Sequence, residues 1–200
     1  MNKQNLLAAL AALLLVAAPA ALPAQGTAPA AKDMESFTCD GAFFTALLPK
    51  GWQKHEAITE GRQNREFGVT LKGPKNADGA YLRISVLFYA ADHARFKTAD
   101  KYLNLNAYPD PTLKIKGETY GPVKAAVVAG RRGQQFERKT FDFIPPYGVN
   151  PKKVPVYEQR LVIPVKKGGF YVLSYHAPED ISAKNLPVFK AILKSFKPAQ

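Results

Sequence analysis

The chain has 200 residues, of which 46% are hydrophobic and 22% charged, with 12 Phe and nine Tyr. That composition belongs to a folded domain and excludes disorder throughout the chain. Fourteen Gly without a triplet repeat exclude a collagen-like chain, one Cys excludes a disulfide scaffold, and a formal net charge of +12 directs attention to anionic partners.

Residues 1–24 read as an address. Lys3 opens a basic start, residues 6–16 are apolar, and Ala18-Pro19-Ala20 fits a small-x-small cleavage site. Ala24 before Gln25 is a second cleavage position. An apolar run of this length is too short to span a bilayer, which needs ~20 residues. The reading is a signal peptide and a mature protein that is exported, periplasmic or secreted, with no transmembrane segment. Residues 25–36 are Ala-, Pro- and polar-rich and read as a flexible tether. A single domain is expected over 37–198.

Within that domain, 42–48 is a strand candidate running into Pro49-Lys50-Gly51-Trp52, and 67–72 is the next. Residues 81–90 alternate cleanly, with Leu82, Ile84, Val86 and Phe88 on one face, as in a half-buried strand. Thr98 is an N-cap candidate with Asp100 in the first helical turn, and that helix should end before Pro109. Residues 108–117 form a loop. Strands are expected at 120–129, 134–143, 156–165 and 170–176. They are separated by a Gly130-Arg131-Arg132-Gly133 turn, a Pro-rich loop at 145–151 and a Lys166-Lys167-Gly168-Gly169 hairpin. In 156–165, Tyr157, Leu161, Ile163 and Val165 share one face, and Glu158 and Arg160 take the other. A final helix is expected around 186–196, with Val188, Phe189, Ile192, Leu193 and Phe196 as its apolar stripe. Pro198 stops it. The pattern predicts an α+β fold, a largely antiparallel sheet of six or more strands flanked by helices that cover one face.

Charge is uneven along the chain. Residues 25–80 carry seven charges of each sign, whereas residues 81–200 carry 20 basic and nine acidic ones. If 120–176 is an antiparallel meander, the Arg131-Arg132 and Lys166-Lys167 turns meet at one end of the sheet. Lys152-Lys153 then lies at the other. Such a rim is a docking site for an anionic partner: lipid headgroups, acidic polysaccharide or an acidic protein face. Export argues against nucleic acid, and no recognition motif for it occurs.

Catalytic signatures are sparse. His55, His93 and His176 have no metal-pair spacing, no G-x-S-x-G elbow occurs, and no cofactor motif is found. His176 with Glu179 and Asp180 is the nearest thing to an assembled site. Trp52 is either a ligand-stacking platform or a turn-locking core residue. Cys39 is a buried small hydrophobe or a thiol that pairs between chains.

Several marks fall in one order. Gly41-Ala42-Phe43-Phe44 runs into Leu48-Pro49-Lys50-Gly51-Trp52, and Asp100-Lys101-Tyr102 opens the middle helix. Gly169-Phe170-Tyr171-Val172-Leu173 then precedes Phe189-Lys190-Ala191-Ile192-Leu193-Lys194-Ser195-Phe196. Over residues 37–197 the chain resembles the PsbP-like superfamily. That resemblance implies an antiparallel sheet flanked by helices, no enzyme activity, and a binding or assembly role whose partner differs between members. The expectation is an exported, non-enzymatic binding or assembly protein of the cell envelope, with Arg131, Arg132, Lys166, Lys167 and Trp52 as binding residues. The alternatives are a hydrolase-type enzyme built around His176 and a purely electrostatic binder of anionic envelope surfaces.

Overall fold

The computed structural model describes residues 31–110, 112, 113 and 115–199. The signal peptide and its cleavage positions lie outside them. The first strand, β1 (Met34–Thr38), pairs antiparallel with β2 (Phe44–Pro49). It starts inside the stretch expected to be a tether, because Met34 is buried in the main core. β2 starts at Phe44 rather than at residue 42. Gly41 and Ala42 both have positive φ, 74° and 51°, which belongs to a tight turn and not to a strand.

Next come β3 (Gln53–His55), the short helix α1 (Ile58–Asn64), β4 (Glu66–Lys75) and β5 (Tyr81–Tyr89). α2 (Ala99–Asn106) opens as the sequence predicts, with the Thr98 hydroxyl accepting the Lys101 amide at 3.2 Å. The strand expected at 120–129 is two pieces, β6 (Thr119–Tyr120) and β7 (Lys124–Val128). The break falls at Pro122, which has no amide proton, while Gly121 donates to the Glu137 carbonyl at 2.8 Å.

β8 (Arg131–Ile144), β9 (Lys152–Pro164) and β10 (Phe170–Pro178) form a meander. β8 and β9 are longer than expected, and Arg131 and Arg132 are strand residues rather than turn residues. The turn is Ala129-Gly130 alone. Both residues have positive φ, 49° and 73°, the geometry of a two-residue hairpin whose twist matches its strands. α3 (Glu179–Ser195) begins well before residue 186 and carries Pro187 inside it. Glu179 and Asp180 occupy its first turn, where the helix dipole favours them. β11 (Lys197–Pro198) follows directly and pairs with β2, so Pro198 marks a strand rather than a simple stop.

The large sheet runs β3-β4-β5-β10-β9-β8-β6, with β7 also on β8, and every pair is antiparallel. A small sheet of β1-β2-β11 sits beside it. β10 is central and buried on both faces, and its alternating residues divide the interior. Tyr171, Leu173 and Tyr175 join Leu82, Ile84, Val86, Phe189 and Ile192 in the core under α3 and the small sheet. Phe170 and Val172 join Tyr89, Phe136, Val162 and Tyr102 under α2. The two long helices therefore cover opposite faces, not one. The apolar stripe of α3 is real: Phe189 and Ile192 are 0% exposed and Phe196 is 2% exposed.

Candidate functional site

The register of β8 with β9 places Gln134 opposite Val162, so the start of β8 lies beside the end of β9. The Ala129-Gly130 tip and the turn after β9 thus share one end of the sheet. Arg131, Arg132, Lys166 and Lys167, with Pro164 and Val165, line a groove of about 670 Å³ there. Arg132, Lys166 and Lys167 are exposed and Arg131 is half-buried. Among the described residues none of the four forms an ion pair. Lys152 and Lys153 lie at the opposite end, opposite Ile144 and Phe143. There Lys152 pairs with Asp78, and Lys153 donates to the Lys116 carbonyl.

Trp52 does not join the rim. It precedes Gln53, which pairs with Lys72. Lys72 pairs with Arg83, and Arg83 with His176, so Trp52 belongs to the other end of the sheet. Its ring lies against Gly73, where a Cβ would come within 2.6 Å of it. Trp52 packs against the main core, which is the turn-locking role. Cys39 is a free, buried thiol, and burial pushes its pKa up.

Glu158 and Arg160 share the α2 face of β9 with Val154, Val156 and Val162, and that face is buried, contrary to the outward placement the sequence suggested. Glu158 is 4% exposed. Its carboxylate accepts from Arg138 Nε at 2.6 Å, from Arg160 Nη2 at 3.1 Å and from His176 Nδ1 at 2.8 Å. The other ring nitrogen of His176 lies 3.0 Å from Asp142 Oδ2, and Asp142 also accepts from Arg83 at 3.2 Å. Arg160 donates further to the Tyr102 hydroxyl and to Asn106 Oδ1 on α2.

Electrostatics follow the geometry. Burial opposes ionisation of Glu158, but the His176 hydrogen bond and the charges of Arg160 and Arg138 outweigh it and hold the carboxyl well below its ordinary range. Burial likewise works against the imidazolium of His176, and hydrogen bonds to Asp142 and Glu158 overcome it, so its pKa is raised. Burial raises Asp142 and the contacts with His176 and Arg83 lower it, with a net lowering.

Each imidazole nitrogen thus faces a carboxylate, Nδ1 that of Glu158 and Nε2 that of Asp142, and Arg83 Nη2 also lies 2.5 Å from Nε2. Glu179 and Asp180, the neighbours suggested by sequence, go elsewhere: Glu179 to Lys139, and Asp180 to Asn76 at 3.3 Å. The sequence reading missed Arg83, Arg138, Asp142 and Glu158. The available signal was parity. Glu158 and Arg160 share the odd-even register of Val154, Val156 and Val162, all apolar.

A second concavity, about 890 Å³, lies on the loop after α2. Tyr108, Leu113, Ile115, Tyr120 and Pro122 line it together with Lys116 and Glu118. Tyr108 is 55% exposed and Leu113 68%.

No family model matches the chain, and no curated protein matches it. Among solved structures, the cyanobacterial PsbP of Synechocystis is similar at 14% identity and TM-score 0.48, over 90% of this chain and 98% of that one. Mycobacterium tuberculosis LpqN, described as involved in cell envelope biogenesis, is similar at 17% identity and TM-score 0.44, over 77% and 82%. A Bacteroides thetaiotaomicron protein is similar at 14% and TM-score 0.44 over 84% of this chain, which spans about half (49%) of that protein's length. The α+β architecture itself, a largely antiparallel sheet between helices, is the one the PsbP-like resemblance implies.

Proposed function

We propose that the chain is an exported, non-enzymatic binding or assembly domain of the cell envelope, and that the rim of Arg131, Arg132, Lys166 and Lys167 is its contact with an anionic partner. One observation carries the reading. Arg62, Arg65, Arg83, Arg138, Arg160, Lys54, Lys139 and Lys152 each have a carboxylate partner, whereas the four rim cations have none among the described residues and converge on one groove. Unpaired, exposed cations at one edge make a positive field that steers an acidic surface. The placement of His176 inside an ion-pair cluster with Glu158, Asp142 and Arg83 supports a binding role over hydrolysis.

Reversing all four charges to Glu should release the protein from envelope preparations, with the wild type itself released progressively as salt rises. Retention of the reversed variant equal to wild type at low ionic strength would overturn the proposal.

A further inference from the structure

The surroundings of the rim say what kind of anionic surface it fits, an inference that rests on the reading above. The β7–β8 hairpin carries an apolar apex. Val127 is 71% exposed, and Ala125, Ala129 and the neighbouring Pro164 are exposed as well. Val127 stands cross-strand from Arg132. Across the hairpin, a second groove of about 440 Å³ separates β7 from α3, and Lys190 and Lys194 edge it. Lys124 is exposed at the start of β7. The three lysines have no ion pair among the described residues, like the rim four. Residues 119–136 and 159–178 contain no Asp or Glu. Asp92 follows Ala91, which packs against Gly168 at the rim, but Asp92 is committed to Arg65.

We propose that this end of the molecule is a membrane-surface contact: the Val127 apex enters the headgroup layer of an anionic bilayer, and the four rim cations with Lys124, Lys190 and Lys194 bind its phosphate groups. The cations come from four separate segments, β7, β8, the β9–β10 turn and α3, and share no fixed fork. That suits a fluid array of phosphates, which rearranges to meet them, better than one rigid acidic face. An apolar apex inside a ring of cations is the pattern that combines insertion with headgroup attraction. An acidic polysaccharide would call for a stacking ring, and Trp52 lies at the other end of the sheet.

The test is co-sedimentation with vesicles of phosphatidylcholine alone and of phosphatidylcholine mixed with phosphatidylglycerol, using the chain as the producing cell processes it. Binding to the mixed vesicles and not to the neutral ones is expected. Partition should fall by ~5-fold for each cation removed, so reversal of the rim four lowers it by more than about 100-fold. Val127→Asp should weaken binding several-fold at unchanged melting temperature. Val127→Trp should strengthen it, with emission quenched by brominated phosphatidylglycerol beyond the background from Trp52. Equal binding to both vesicle types, or no effect of Val127→Asp, overturns the inference. If vesicles are ignored while envelope retention still falls with salt and charge reversal, the partner is an acidic protein or polysaccharide. The membrane contact is then wrong, and the broader reading stands. If retention too is indifferent to both, both readings fall.

Discussion

The two ends of the sheet use the same residue types in opposite ways. At the His176 end, three arginines, two carboxylates and an imidazole are joined into one cluster beneath and beside α2. At the Arg131 end, four cations, three exposed and Arg131 half-buried, line an open groove with no ion pair among the described residues. The buried cluster is expensive to desolvate and is tolerated because every buried polar atom in it is bonded. The rim costs the fold almost nothing and leaves its charge available. The difference teaches that charge number alone says little about function. What matters is whether the protein has already answered the charge.

The comparison can be broken in graded steps. Phe189→Asp sets the upper scale, because it buries a carboxylate in the core under α3 with nothing to answer it. We expect a loss of ~3–5 kcal/mol and a clear fall in melting temperature. A near-wild-type melt would show that this stripe is not core.

Glu158→Ala approaches the same scale from the other direction. It leaves Arg138, Arg160 and His176 facing one another without their shared carboxylate, and should cost ~3–5 kcal/mol in chemical denaturation. A loss below that of an ordinary surface substitution would mean the cluster is not a unit.

The pH profile is subtler. His176 has a folded-state pKa above its unfolded one, so its contribution is full below about pH 6.5 and is lost as pH rises through the raised value. Asp142 and Glu158 lie below theirs, so their contributions are full above about pH 4.5 and are lost in acid. Stability should therefore peak between these values, and His176→Gln should flatten the alkaline limb and also weaken the acid limb, since His176 is a principal partner of both carboxylates. An unchanged alkaline limb in that variant would contradict the assignment.

The smallest effect on stability belongs to the rim. Reversing Arg131, Arg132, Lys166 and Lys167 together should change unfolding free energy by no more than ~0.5 kcal/mol per site, because none of them has an ion pair among the described residues. A cooperative destabilisation of several kcal/mol would make the rim structural and remove the contrast.

Much of this was legible in the sequence because period-two patterns are strong where one face alone is apolar. Leu82, Ile84, Val86 and Phe88 all point inward as read. The rim was legible too, since a meander fixes which turns share an end. What was not legible came from burial on both faces. Once β9 carries Leu161, Val162 and Ile163 in succession, neither parity is a solvent face, and Glu158 is drawn inside by Arg138, 20 residues away on β8, and His176, 18 away on β10. Long-range ion pairing leaves no local signature. Pro187 hid the first turns of α3 for a different reason. A proline inside a helix reads as a start or a stop, yet Ile181 and Leu186 pack on the core and carry the helix through it.

The position of β10 has a consequence for how the chain comes to completion. It lies between β5 and β9, so strand pairing joins the β3-β4-β5 block to the β8–β9 hairpin only through it. A chain delivered N-terminus first therefore presents two half-sheets with open edges until residues 170–178 arrive. Closing them requires β10 to pair with β5 across some 80 residues of intervening chain, a non-local step of the kind that slows folding. The late strand acts as a keystone: the large sheet becomes continuous only when that segment pairs on both sides.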